Sequence, residues 1–123
     1  MGTRPYNIND AWCASFTTYV WEQAGYKVDW TERRRVVDIW KDGNSLGLAS
    51  TNSADARPGD MIIFDWKRDG RPGHVGIVVS VNGNQITTIE GNSSDRVKRN
   101  TYVVGDPRVT GVVKPPTQNN VAV

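Results

Sequence analysis

The stretch that decides the fold is RPGDMIIFDWKRDGRPGHVGIVVSVNGNQITTIE, residues 57–90. It contains three apolar runs of strand length, 61–66, 74–81 and 85–90, which are rich in β-branched side chains. An RPGD turn precedes the first run, a polar loop (67–73) follows it, and Asn82-Gly83-Asn84 separates the second run from the third. An Asn-Gly pair between two such runs is typical of a β-hairpin. The segment therefore predicts consecutive antiparallel strands.

The flanking sequence completes the prediction of an α+β fold. On the C-terminal side, two further strands are predicted at 96–104 and 109–113. On the N-terminal side, apolar residues recur at helical spacing from Trp12 to Ala24, with Asn9 or Asp10 as the N-cap. Gly25 is predicted to end this helix in the left-handed conformation.

A second, shorter helix is predicted from Thr31 to Trp40, closed by residues 42–44, and residues 44–57 are predicted to form a loop. Helices followed by hairpin-connected strands indicate N-terminal helices packed on an antiparallel β-sheet. We predict one folded domain at 1–114 and a tail or linker at 115–123.

Composition limits the classes of function. The chain has 123 residues, of which 37% are hydrophobic and 23% charged, and a net charge of +2, which is too weak to indicate nucleic-acid binding. No apolar run is long enough to cross a membrane, and no signal peptide is visible. The single cysteine excludes an internal disulfide and a multi-cysteine metal site, and there is a single histidine. We expect no metal and no cofactor.

Four polar residues form a candidate catalytic set. Cys13 lies in the first turn of the predicted helix, where unpaired N–H groups and the helix dipole stabilise a thiolate. His74 opens a strand, and Glu90 and Asn92 end the next one, where either side chain could orient an imidazole. Taken singly, each has a plain structural interpretation: a small buried thiol, a surface histidine and turn polar groups. Taken together, they follow the papain-like order of cysteine, histidine and polar partner.

The resemblance to a known family rests on four blocks in order. They are Trp12-Cys13-Ala14-Ser15-Phe16 with Val20–Gly25, then Arg57–Trp66, Gly73–Val78 and Thr88–Asn92. These blocks resemble the CHAP domain, the cysteine, histidine-dependent amidohydrolase/peptidase of the papain-like superfamily, from about Asn9 to about Tyr102.

That resemblance implies a papain-like fold and a peptidoglycan hydrolase. The enzyme would be an endopeptidase or an N-acetylmuramoyl-L-alanine amidase that acts through a cysteine thioester. The resemblance also implies that Cys13 is the nucleophile, that His74 is the general base, and that Glu90 and Asn92 are the orienting groups. Some members bind calcium in an acidic loop before the cysteine, but residues 4–9 carry no carboxylate, so no calcium requirement is expected.

Further expectations concern substrate and context. Trp12, Trp66 and Asn9 are candidate substrate-binding residues, and Asn9 or Tyr6 is a candidate second donor to the oxyanion, beside the Cys13 backbone N–H. Bacterial peptidoglycan is the expected partner, at an extracellular or cell-envelope location. We expect a monomeric domain within a larger multidomain protein. The parent could be an endolysin, a tail lysin, an autolysin or a secretion-system hydrolase.

Two alternative functions stay open on the sequence alone. One is a catalytically silent wall-binding module, which would not need an intact set of four polar residues. The other is a papain-like enzyme that acts on an amide or thioester outside the wall. The reactivity of Cys13 discriminates the first alternative, and an assay on purified sacculi discriminates the second.

Overall fold

A computed structural model describes residues 12–26, 36–91 and 97–116, with side chains from Phe16 onward in the first range. Within these ranges there are two α-helices, one short 3-10 helix and six β-strands. In chain order they are α1 (Trp12–Gln23), α2 (Val36–Ser45), β1 (Ala49–Ser50), the 3-10 helix (Ser53–Asp55), β2 (Met61–Phe64), β3 (His74–Asn82), β4 (Gln85–Gly91), β5 (Val97–Val103) and β6 (Val109–Val113).

The six strands form one sheet in the order β1-β6-β2-β3-β4-β5, and every neighbouring pair is antiparallel. Strands β2 to β5 are sequential neighbours, whereas β6 returns to lie between β1 and β2. Helix α1 packs against β3 and β4, and α2 packs against β1 and β6. The predicted α+β architecture with an antiparallel sheet is confirmed.

The end of α1 follows the sequence prediction. Gly25 has a φ of 91°, and its N–H donates to the Glu22 carbonyl while the Tyr26 N–H donates to the Trp21 carbonyl. This pair of bonds is the Schellman arrangement, which satisfies carbonyls that the helix leaves unpaired. A residue with a Cβ would be strained at this φ, which explains the glycine.

The prediction for the second helix is wrong at its C-terminal end. Residues 31–35 lie outside the described residues, but α2 continues through residues 42–44 and ends at Ser45. Gly47, whose φ is 74°, follows the end of the helix. Gly43 lies inside the helix. The position is a glycine because a Cβ there would lie 2.9 Å from a methyl carbon of Val113. The glycine permits close packing of α2 on β6, a long-range cause that helix-stop signals do not contain.

The predicted loop at 44–57 contains more regular structure than expected. Strand β1 pairs with β6 through Ala49 and Ser50, and the Asn52 side chain accepts from the Ala54 N–H to cap the 3-10 helix. Two residues of strand and three of 3-10 helix are too short to produce a periodic signal, so the sequence interpretation missed them.

Strand β2 is shorter than predicted, since it ends at Phe64 instead of Trp66. Asp65 leaves the ladder: its N–H donates to the Arg108 carbonyl at 2.7 Å, and its carboxylate accepts from the Asp69 and Gly70 N–H groups. The remaining strand ends agree with prediction to within one residue, and β6 agrees at both ends.

Alternation along β2 divides the core between two faces of the sheet. Met61 and Ile63 belong to a cluster with the helix residues Trp21 and Ile39. Ile62 and Phe64 belong to a second cluster, which also contains Val78, Ile86 and Val112 and is flanked by Tyr102. The first cluster attaches the helices to the sheet, and the second forms the base of the site described below.

No helix among the described residues is long and apolar enough to span a membrane.

Gly111 in β6 provides a test of how closely the sheet and α2 are packed. A Cβ at this position would collide with the Ser50 carbonyl oxygen and lie 2.6 Å from Cη2 of Trp40. We expect Gly111→Ala to lower the free energy of unfolding by about 2–3 kcal/mol, because the backbone of β1 cannot move aside without losing its pairing. Urea unfolding measures this change. Gly73→Ala is the control, since a Cβ there meets nothing within 4 Å; equal losses would contradict the packing described.

Candidate active site

The site is built on the paired strands β3 and β4. His74 is the first residue of β3, Glu90 is the penultimate residue of β4, and His74 Nε2 lies 2.6 Å from Glu90 Oε1. The Glu90 side chain reaches the imidazole across Gly76, where an added Cβ would lie 2.7 Å from Glu90 Cγ. The glycine in the His-Val-Gly sequence thus leaves the space through which the carboxylate approaches the ring.

Glu90 is a buried carboxylate with three donors. Thr88 Oγ1 donates to Oε2 at 2.6 Å, the Tyr102 hydroxyl donates to the same oxygen at 2.8 Å, and His74 occupies Oε1. Burial alone would raise the pKa of Glu90, but the hydrogen bonds from His74, Thr88 and Tyr102 outweigh burial and hold this pKa below its usual value. The group is therefore an anion at neutral pH although only 4% of its surface is exposed.

Asp60 shows what burial does when a carboxylate has fewer donors. It is as buried as Glu90, at 3% exposure, and its side chain accepts from the Arg57 N–H. Burial raises the pKa of Asp60 to about 6, against the opposing effects of that hydrogen bond and of the Lys114 and Arg57 charges. The contrast between the two carboxyl groups indicates that Glu90 stays charged because of its hydrogen-bond donors. Burial in the core by itself would favour the neutral acid.

Tyr102 is fixed as a donor by the same arrangement. Burial raises its pKa, and the adjacent Glu90 carboxylate raises it further, so the phenol stays protonated. Thr88 has no exposed surface, which leaves its hydroxyl in place beside the carboxylate. Both hydroxyls bind Oε2, and Oε1 is directed to the imidazole.

The geometry determines the tautomer of His74. An ionised carboxylate can only accept hydrogen bonds, so Nε2 of His74 must carry a proton. In the neutral ring Nδ1 is then the basic nitrogen, through which the imidazole can take up and release a proton. The side chain is 17% exposed, so the ring is held at the rim of the sheet and not enclosed within it.

Aromatic rings surround the imidazole. Phe64 stacks on Trp66 with ring centroids 4.6 Å apart, and the His74 ring lies 5.6 Å from Phe64 and 5.5 Å from Trp66. Tyr102 packs on Phe64 at 4.7 Å. Phe64 is fully buried whereas Trp66 is 42% exposed, so Trp66 connects the site to the surface.

A known protein family matches most of the chain. The sequence profile of the CHAP domain matches residues 5–92, well over half of the chain. The chain belongs to the CHAP-domain family. The matched span includes Cys13, His74, Glu90 and Asn92, and it confirms the resemblance seen in the four sequence blocks.

Two solved structures of Ly7917 have a fold similar to that of this CHAP domain. The crystal structure of Ly7917 aligns with a TM-score of 0.50 at 19% identity, and the crystal structure of Ly7917 with the hydrolyzing product of MDP aligns with a TM-score of 0.54 at 20% identity. Each alignment covers 90% of this chain and 63% of the Ly7917 chain. At this identity the likeness shows the fold alone. No curated protein sequence matches the chain significantly.

The described residues include only part of the predicted site. His74, Glu90 and Trp66 lie together as given above. Cys13 is the second residue of α1, so its backbone lies in the first turn of the helix, as predicted. The side chains of Trp12 and Cys13 lie outside the described residues. Asn9, Tyr6 and Asn92 also lie outside them.

Three residues around Glu90 were not found by sequence reasoning: Gly76, Thr88 and Tyr102. For Thr88 a signal was present, because its i, i+2 spacing places it on the same strand face as Glu90. Tyr102 comes from β5, and its contact with Glu90 depends on the pairing of β4 with β5, which no local pattern specifies. Among the described residues, no group of three or more His, Cys, Asp or Glu side chains could hold a metal ion.

The space above Gly76 can be tested through the one histidine of this CHAP domain. We expect Gly76→Ala to displace the Glu90 side chain and to lower the pKa of the His74 imidazolium, because the carboxylate that stabilises the charged ring moves away. A proton NMR titration reads this pKa without overlap, since there is no other histidine. Gly73→Ala adds the same methyl group one residue before His74, where a Cβ meets nothing within 4 Å, and should leave the titration unaltered. An unchanged pKa in Gly76→Ala would contradict this role.

Proposed function

We propose that this CHAP domain is a peptidoglycan hydrolase that cleaves an amide bond of the wall peptide through a thioester on Cys13. The observation that carries the proposal is the His74–Glu90 pair, in which Nε2 lies 2.6 Å from an ionised carboxylate. This contact assigns the proton to Nε2 and leaves Nδ1 as the proton-exchanging nitrogen. A cysteine hydrolase needs such a base to activate its thiol. Members of the family are generally hydrolytic, and one of the Ly7917 structures contains the hydrolyzing product of MDP.

The position of Cys13 on α1 supports the nucleophile assignment. Cys13 lies near the N-terminus of α1, where the dipole and unpaired N–H groups lower the pKa of a thiol. Helix α1 packs on β3 and β4, the strands that carry His74 and Glu90, and the Trp21 Nε1–H donates to the Gly59 carbonyl at 2.8 Å. Those contacts fix the helix on the two strands that bear the base and its orienting carboxylate.

The first chemical step forms the acyl-enzyme. His74 Nδ1 takes the proton of the Cys13 thiol, and the thiolate attacks the carbonyl carbon of the scissile amide to form a C–S bond. The developing oxyanion would be bound by the Cys13 backbone N–H and a second donor, with Asn9 or Tyr6 as candidates. Collapse of this intermediate breaks the C–N bond, and the imidazolium gives its proton to the departing amine.

The second step releases the product. Water attacks the thioester while His74 Nδ1 accepts one of its protons, and the C–S bond breaks. The peptide leaves as a carboxylic acid, which loses its proton to solvent at neutral pH, and the proton on the imidazolium returns to the Cys13 thiolate. Glu90 acts in both steps by stabilising the imidazolium through Nε2 and by keeping Nδ1 directed to the reacting atoms.

Glu90, rather than Asn92, is assigned as the orienting residue. Its contact with Nε2 supports this choice, as does its charge, because a carboxylate stabilises an imidazolium more than an amide does. We assign Asn92 to the backbone or substrate side of the site. The scissile bond is that of an endopeptidase or of an N-acetylmuramoyl-L-alanine amidase, which implies action at the cell envelope or outside the cell.

Alkylation of the single cysteine tests the proposal apart from any substrate. We expect iodoacetamide to modify Cys13 at pH 6 far faster than it modifies a free thiol, since the imidazolium and the helix terminus stabilise the thiolate. Modified protein should no longer release soluble fragments from purified sacculi. A slow, ordinary rate together with a lack of release would indicate a silent wall-binding module. A fast rate without release would indicate an amide or thioester substrate outside the wall.

A further inference from the structure

A cavity of about 600 Å³ opens beside Trp66. Arg68 lines it on the loop after β2, and the turn between β5 and β6 contributes Val104, Pro107 and Arg108. The Trp66 ring, which forms part of the wall, has its centroid 5.5 Å from that of His74. A ligand in this cavity would therefore contact a ring that packs beside the proposed catalytic base.

The loop that carries Arg68 is held in place by a buried carboxylate. Asp65, 9% exposed, accepts from the N–H groups of Asp69 and Gly70 through its carboxylate at 3.2 and 2.7 Å, and its carbonyl accepts from the Arg68 N–H. Arg68 has a φ of 55° and is the only non-glycine residue with positive φ among the described residues. Such strain persists where the surroundings impose it, and it is concentrated at functional sites.

The opposite wall is attached to the same loop and is also cationic. The Asp65 N–H donates to the Arg108 carbonyl at 2.7 Å, and the Arg108 guanidinium carbon lies 5.3 Å from the Trp66 ring centroid. Nε and one N–H of Nη2 bind the two oxygens of Asp106 at 3.1 and 2.8 Å. Three of the five guanidinium N–H donors are left for a ligand.

The charge of the cavity is positive. Hydrogen bonds from Arg108 hold the pKa of Asp106 below its usual value, so Asp106 is ionised and offsets one of the two arginines. Asp106 is the only acidic side chain among the described residues that line the cavity, and the net charge of this lining is therefore about +1. Two guanidinium groups beside apolar and aromatic walls are suited to a carboxylate on a partly apolar chain.

We propose that this cavity is a subsite that binds a carboxylate of the substrate's stem peptide through Arg68 and Arg108. The inference rests on the proposed function, since the substrate proposed there is a wall peptide and a peptide chain ends in a carboxylate. The subsite makes the enzyme selective for the carboxylate form, and Trp66 aligns the bound peptide with His74.

Calorimetric titration of the Cys13→Ala protein tests this selectivity in the absence of turnover. The probes are a stem peptide with free carboxylates and the same peptide with every carboxylate converted to a carboxamide, at one fixed ionic strength. We expect the carboxylate form to bind about tenfold more tightly, as one charge-assisted bidentate contact would give. The difference should disappear in Arg68→Gln combined with Arg108→Gln. It should persist with Arg71→Gln, a control in the same loop that does not line the cavity.

Equal affinities for the two peptides, no binding of either one, or selectivity that survives loss of both arginines would overturn the subsite. Failure of the subsite is distinguishable from failure of the proposed function. Selective binding to Cys13→Ala together with no hydrolysis by the unmodified enzyme would retain the subsite and reject the hydrolase. Hydrolysis by the unmodified enzyme, with no difference in affinity between the two peptides, would retain the hydrolase and reject the subsite.

Discussion

Cys13→Ala is expected to abolish release of fragments from peptidoglycan, with a fall in kcat/KM of at least about 10³-fold. The reason is that no other thiol exists in the chain, so the thioester cannot form. Formation and hydrolysis of the thioester are then replaced by direct attack of water on the amide, which is a more difficult single step. Turbidity of sacculi and chromatography of the released fragments measure the loss. The far-ultraviolet circular dichroism and the unfolding midpoint should stay close to those of the unmodified protein, since the substitution removes a single sulfur atom.

His74→Ala should be nearly as damaging. A thiolate and an imidazolium act as a unit, so the losses of the two variants should not add in the double variant Cys13→Ala/His74→Ala. Additive losses would mean that the two residues act independently. Substantial activity in Cys13→Ala alone would show that the nucleophile is misassigned.

Glu90→Gln is expected to lower kcat/KM by on the order of 10²-fold at neutral pH and to narrow the active pH range from both sides. The isosteric amide keeps an acceptor for Nε2 but removes the negative charge that stabilises the imidazolium. The thiol must then ionise without that help, so the pKa of the acidic limb rises. The imidazolium also loses its proton more easily, so the pKa of the basic limb falls.

The pH dependence of kcat/KM measures both limbs, and Tyr102→Phe is a matched control. That variant removes one hydrogen bond to Glu90 Oε2 while the charge on the carboxylate stays, so it should narrow the range less. Asn92→Ala should reduce the rate without comparable narrowing. A range that is unchanged in Glu90→Gln but narrowed in Asn92→Ala would transfer the orienting role to Asn92.

Local signals predicted the elements that position the site. Gly25 ends α1 because the left-handed conformation is needed there, and Gly83, with a φ of 63°, turns β3 into β4 as the Asn-Gly pattern indicates. The RPGD turn is closed by the Asp60 N–H, which donates to the Arg57 carbonyl. Each of these depends on a few consecutive residues and is therefore readable without the tertiary structure.

Features that depend on distant residues were missed or misplaced. Gly43 lies within α2 at a point where Val113 of β6 packs closely against the helix. Strand β1 is formed by pairing with β6, which comes much later in the chain. In the site, Glu90 and Asn92 were alternative partners of His74 in the sequence. Charge favours Glu90, and the contact of its carboxylate with Nε2 becomes visible only in the folded sheet. The hydroxyl of Tyr102, from β5, and the arginines beside Trp66 become neighbours of the site only in the folded chain.

The most direct test of the central claim is mass spectrometry of muropeptides digested in ¹⁸O-labelled water. The account predicts fragments with a new free amine and a new carboxylate that carries one ¹⁸O atom, formed by the unmodified protein and absent with Cys13→Ala. New reducing sugar ends in place of new amines, or the same fragments with Cys13→Ala, would contradict it.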